Sequence, residues 1–321
     1  MPRDALIAIV GGLLSAFAAM AFQGGSAMVL VFVYLAPVPI LLVGLGRGPG
    51  SALIAAATGF VATGVFGGLL LAGMYGLVYA LPAWILARYA VSQQQSPDDS
   101  GTSGGWPSVG VPLAVLALLA ASIILLADIN AGGVGLRGSL HAYMAEVISV
   151  LAPTADGDWR GKMINNILPL FPGAVGVSWV ILTVVNAIIA QGILVRIGRN
   201  LRPSPAYAEL QLPQWVSWPL VLSAGAALSG PLLGMEDLGY VGRNSAMVTA
   251  VPFFFLGLAV IHTLARRVAA TTAVLVVVYL VVILSGWAAL VVAGVGVTEL
   301  WVGLRDRTGK LDAGPRPGDD E

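Results

Sequence analysis

The sequence predicts an all-α fold, a polytopic integral membrane helical bundle of about eight to ten transmembrane helices, counting about 20 apolar residues for each crossing of a hydrocarbon core. Three observations predict it. Hydrophobic residues make up 58% of the chain and charged residues 10%, whereas soluble domains hold roughly 45–50% and about 25%. Long runs without a charge recur from one end of the chain to the other. Between those runs, Lys and Arg gather on what would be one side of a membrane, as basic residues do on the cytoplasmic side.

Six runs read as single crossings: residues 5–22, 27–45, 110–127, 168–195, 215–233 and 245–265. Residues 51–87 carry no charge over 37 positions. That is too long for one helix across the bilayer, so a hairpin is expected, split near Leu71–Gly73. Residues 268–304 contain Glu299 as their only charged side chain and are expected to split near Ser285-Gly286, with one long tilted helix as the alternative. With the N-terminus in the cytoplasm and about ten crossings, Arg3, Arg47, Arg88, Arg196, Arg199, Arg202, Arg266, Arg267, Arg305, Arg307, Lys310 and Arg316 lie inside. Arg137, Arg160, Lys162 and Arg243 lie outside. The first run holds 18 residues, longer than a signal-peptide core of about 7–15, and is expected to stay in the membrane. Trp215, Trp218 and Trp301 stand near span ends, where indole rings sit at headgroup depth.

This pattern organises the chain as a four-helix membrane unit at 1–91, a polar cytoplasmic linker at 92–109, a second membrane unit at 110–304 and a disordered cytoplasmic tail at 305–321. Inside the second unit, Leu136, Leu140, Met144, Val147 and Leu151 recur at helical spacing. They predict an amphipathic helix near 135–152, lying on the outer membrane surface, capping a cavity, or packed on the protein's own loops.

The chemistry available is narrow. Cysteine is absent, His141 and His262 are the two histidines, and no phosphate loop, paired-His zinc motif or nucleophile elbow occurs. The reading is therefore a protein that is not an enzyme, with no catalytic residues, no metal and no cofactor. A net charge of zero argues against nucleic acid as a partner. The residues that stand out are helix breakers and amides at membrane depth: Pro37, Pro39 and Pro252 with Asn165, Asn166, Asn186, Gln191 and Asn244. Proline removes a backbone donor and exposes carbonyls that must find partners within lipid. Broken helices of this kind line solute sites in transporters, while buried amides also act as interhelical glue. Pro82, Pro169, Pro172 and Pro219 add further breaks. On the first helix Gly11, Ser15 and Ala19 form a small-residue packing face, suited to a neighbouring helix of this chain or to a membrane protein partner.

Several segments carry a family resemblance. Tyr34-Leu35-Ala36-Pro37-Val38-Pro39-Ile40, Gly46-Arg47-Gly48-Pro49-Gly50, Leu212-Pro213-Gln214-Trp215, Gly242-Arg243-Asn244 with the run Phe253 to Val260, and the closing Glu299-Leu300-Trp301-Val302-Gly303-Leu304-Arg305 resemble the YybS-like family of predicted bacterial membrane proteins. In that family an Asp is commoner at the position of Glu299. The resemblance implies a multi-pass protein of the bacterial cytoplasmic (inner) membrane and brings no catalytic residues with it. It also implies a distant similarity to the substrate-binding subunits of energy-coupling-factor transporters. The expected function is a component that binds or transports a small solute whose identity is open, with a non-catalytic scaffold or assembly protein as the alternative. The lipid bilayer is the expected partner, beside the membrane protein that the first helix could dock.

Overall fold

The computed structural model describes residues 3–21, 27–91 and 108–305. Among them every regular element is helical: α1 (Arg3–Met20), α2 (Ala27–Tyr34), α3 (Val38–Arg47), α4 (Pro49–Tyr75), α5 (Leu81–Val91), α6 (Gly110–Ala131), α7 (Gly135–Leu151), α8 (Gly157–Ile167), α9 (Phe171–Arg196), α10 (Ser217–Leu232), α11 (Glu236–Thr249), α12 (Val251–Ala265), α13 (Thr271–Leu284) and α14 (Gly286–Val302). Among the described residues six stretches are long and apolar enough to cross a membrane, and α13 and α14 are shorter apolar helices. The surface confirms the solvent. Leu69 is 82% exposed and Leu232 is 85% exposed, positions that soluble proteins do not crowd with leucine but that lipid tails cover without penalty. Most of residues 92–109 and all of the expected tail beyond Arg305 lie outside the described residues.

The chain forms two compact units. The first comprises Met1–Leu113 and also takes in Trp179–Pro205, because the second half of α9 packs among α2, α3 and the turn before α5. The second comprises Ala114–Ser178 and Ala206–Glu321.

In the first unit the chain reverses inside the long α4 segment. Gly68 takes φ 81° and ψ 173°, a backbone region that only glycine enters at low cost. The reversal brings Tyr75 back over Gly59 and Ala72 towards Gly64. The turn therefore falls at Gly68, a few residues before the expected Leu71–Gly73, because it follows the backbone freedom of that glycine. The small face of α1 is covered by the chain itself. Gly11 lies against Pro39 and Val43, Gly12 against the Ala55 backbone, and Ser15 accepts a 2.8 Å hydrogen bond from the Tyr75 hydroxyl. Gly11 and Ser15 are buried and Ala19 is half-buried. Small residues here let backbones close on each other, which in lipid replaces the apolar driving force available in water.

In the second unit α10 and α11 are an antiparallel hairpin closed by Gly230 on Gly239 and by Gly242 on Ala226 and Ala227. α12 and α14 cross just as closely, with Gly257 under the Val292 carbonyl and Gly296 under the Phe253 carbonyl. The run 268–304 is interrupted where expected, with Ser285 extended between α13 and α14. The amphipathic segment is the helix α7. Leu136 is buried, Leu140, Met144 and Val147 are half-buried, and Leu151 at its end is exposed. Its N-terminus is capped by Asp128, whose carboxylate accepts from the Leu136 amide at 2.8 Å.

Candidate functional site

In a regular helix each carbonyl accepts from the N–H four residues on, so a proline at that position leaves the carbonyl without its partner. In the first unit one helix serves two helix interruptions beside prolines. Pro82 follows the carbonyl of Val78 by four residues, and the indole N–H of Trp179 donates to that carbonyl at 2.9 Å. Between α2 and α3, Pro37 and Pro39 lack donors and the Val38 N–H turns back to Leu35 at 3.0 Å. Tyr34 thereby loses its helical donor. The Asn186 side chain replaces it, with Nδ2 donating to the Tyr34 carbonyl at 2.8 Å. Trp179, Thr183 and Asn186 share one face of α9 because positions three, four and seven apart stack along a helix. Thr183 and Asn186 are each 3% exposed.

The second unit repeats the device with different residues. α8 and α9 join through the tight turn Leu168–Leu170. Regular geometry would pair the Gly173 N–H with the Pro169 carbonyl, but the amide of Asn244 is inserted between them. Its Oδ1 accepts from the Gly173 N–H at 2.8 Å, and its Nδ2 donates to the Pro169 carbonyl at 3.1 Å and to the Tyr240 carbonyl at 2.8 Å. The Tyr240 hydroxyl donates to the Leu168 carbonyl at 2.9 Å, so the whole turn is held from α11. Asn244 is fully buried. Glycine at position 173 gives the amide room, since a methyl there would stand 3.0 Å from Asn244 Oδ1 and 2.9 Å from Met247 Sδ.

The remaining sequence candidates fall elsewhere. Gln191 donates to the Arg202 carbonyl at 2.8 Å, joined there by Asn200 at 2.9 Å. The Arg202 guanidinium reaches the Ala90 carbonyl at 3.3 Å, and burial lowers its pKa. Asn165 and Asn166 are exposed on α8. Pro252 opens α12 just after the bend at Ala250, where the missing donor of a first-turn proline does no harm. Of the acids near span ends, Glu236 and Asp237 occupy the first turn of α11, where the helix dipole favours them.

The pairing of Glu299 with Arg305 was not predicted from the sequence. Glu299 and Arg305 form an ion pair at 2.6 Å with side chains only 7% and 17% exposed. Gly303 makes the pairing reachable by ending α14 in a left-handed conformation, φ 65°, that turns the chain back. Arg305 then donates to the carbonyls of Ala208 at 2.6 Å and Leu210 at 2.9 Å, pinning the segment before α10. Beside that segment the His262 ring meets Tyr207 and Tyr279 edge-on, with centroids 5.6 and 5.8 Å apart. The Tyr207 hydroxyl donates to the Phe255 carbonyl at 3.3 Å, and its pKa is raised by burial first and by Tyr279 second. The available signal was the acid in an otherwise uncharged run, six residues ahead of an arginine with a glycine between. Substituting Glu299→Ala is expected to lower stability by about 3 kcal/mol, because it leaves a largely buried guanidinium without its counter-charge. Thermal unfolding in detergent measures it, and a change below about 0.5 kcal/mol, the range of inert surface substitutions, would show that the carbonyls alone hold Arg305.

Taken together, the arrangement is that of a multi-pass α-helical membrane protein whose interrupted helices are joined by side-chain donors. The chain belongs to the family described as Predicted membrane protein (DUF2232), whose model matches residues 13–300. No curated protein and no solved structure matches it.

Proposed function

We propose that the protein is a non-catalytic solute-binding or transport component of the bacterial cytoplasmic membrane, with its N-terminus in the cytoplasm. The observation that carries this reading is the repetition of one device in both units: a helix interrupted beside a proline, its freed peptide groups held by a single asparagine, Asn186 or Asn244. A protein that only needed to fill the bilayer would satisfy its backbone more cheaply with unbroken helices. Broken helices present peptide groups at membrane depth and mark where transporters hold solutes and hinge. The resemblance to the YybS-like family, and through it to energy-coupling-factor substrate-binding subunits, supports the same reading. The test is a thermal-shift screen of the purified protein against vitamins and small metabolites, with native mass spectrometry for co-purified ligand. A true ligand at 100 times its dissociation constant is expected to raise the melting temperature by about 5 °C. No stabilisation and no bound mass would remove the reading.

A second reading, a scaffold or assembly protein, is favoured by one observation. α1 and α4 leave a sideways-open apolar groove of about 470 Å³ lined by Ile9, Leu13, Ala57, Val61, Val65 and Phe66. A stoichiometric membrane partner on a ligand-free protein, lost when Val61 is replaced by a bulkier residue, would select it.

A further inference from the structure

Among the described residues of the first unit, charge is confined to one end. Its described residues hold six arginines, Arg3, Arg47, Arg88, Arg196, Arg199 and Arg202, and one acid, Asp4. Hydrogen bonds and packing draw them together from four helix ends. Arg47 at the end of α3 pairs with Asp4 at the start of α1 at 3.0 Å. The Leu201 amide reaches the Leu45 carbonyl at 3.4 Å, and Gly46 lies beside Leu194 and the Arg199 carbonyl, which seats the end of α9 against the end of α3. Arg202 bonds the Ala90 carbonyl and so ties in the end of α5, where Arg88 lies 5.9 Å over the Trp84 ring. Among the described residues Asp4 answers Arg47, and Arg3, Arg196 and Arg199 are exposed at the same end.

The chemistry of this end points to phosphate. Lysine is missing from it, the chain's two being Lys162 and Lys310. Guanidinium groups bind phosphate oxygens in pairs and tolerate a poorly hydrated boundary better than ammonium. The ring also terminates apolar helices, α1 among them, which sets it at headgroup depth, where the phosphates of a bilayer already stand. We propose that this arginine end is a binding surface for the headgroups of acidic phospholipids in the leaflet it faces. The proposal is independent of any solute the protein carries.

The test uses the full chain in nanodiscs of phosphatidylcholine alone and of phosphatidylcholine with one third phosphatidylglycerol. The acidic lipid is expected to raise the melting temperature by about 5 °C. The increment should vanish at about 1 M salt, where screening shortens to roughly 3 Å. The double variant Arg196→Gln/Arg199→Gln should melt like the wild type in phosphatidylcholine and lose at least half of the increment. Equal melting in the two lipids, an increment that survives high salt, or a variant that keeps it in full would each overturn the proposal. So would an equal rise produced by soluble glycerol phosphate in phosphatidylcholine discs, which would mean a site for free anions. Should the variant melt lower in phosphatidylcholine, the wild-type salt titration decides alone.

Discussion

Replacing Asn244 by leucine is expected to lower the unfolding free energy by about 4 kcal/mol, because a buried amide and a half-buried carbonyl lose their partners at about 1–3 kcal/mol each. Those groups are the Gly173 N–H and the Pro169 carbonyl, both held by the amide of a fully buried side chain. Leucine fills the volume and isolates the hydrogen bonds from any cavity effect. The measurement is thermal or detergent-titrated unfolding of the purified variant, with an expected drop of about 10 °C in melting temperature. A loss under about 1 kcal/mol, the worth of one ordinary hydrogen bond, would mean that the turn between α8 and α9 closes without Asn244. The same substitution at Asn186 removes one bond instead of three and should have a visibly smaller effect.

Gly257→Val should be more damaging still. α12 and α14 run antiparallel with their backbones in contact, Gly257 under the Val292 carbonyl and Gly296 under the Phe253 carbonyl, four residues apart on each helix. A side chain at either glycine strikes main-chain atoms, which cannot rotate away. One excess methylene in a packed core costs about 1–3 kcal/mol, and valine adds three carbons against an immovable neighbour. The variant is expected to fail to fold, seen as loss of the monodisperse peak in detergent size-exclusion chromatography. Gly294→Ala on the same helix is the control. Nothing lies within 4 Å of the methyl it would add, so it should stay within about 0.5 kcal/mol of wild type. Equal behaviour of the two variants would refute the close crossing.

The candidate residues were legible in the sequence as a set and illegible as a geometry. Asn186 and Asn244 stand out by polarity, since an amide in an apolar run demands a partner. Their partners do not: Tyr34 is 152 residues from Asn186, and Pro169 is 75 from Asn244. Trp179 illustrates the converse. In sequence it is one more apolar residue in a long span, yet it supplies the donor that Pro82 withholds from Val78. The Gly11–Ser15 face was readable as a packing surface, while the choice between an internal and an external neighbour rested on Pro39, Val43 and Tyr75 arriving from other helices. Glu299 and Arg305 were visible as isolated charges, but pairing them required the left-handed turn at Gly303.

By itself the sequence determined that lipid is the solvent, that the elements are helices, and roughly where they are interrupted. Those properties follow from local facts: apolar content, the requirement that a backbone in lipid bond within its own segment, and the fixed shapes of proline and glycine. Tertiary structure decided which side chain serves each interruption, which glycines carry a crossing, and that the arginines of four helix ends form one surface. These depend on contacts between residues far apart in the chain, and in a membrane, where burial of apolar area drives no helix to a particular neighbour, only the fit of backbones and the pairing of stray polar groups selects among them.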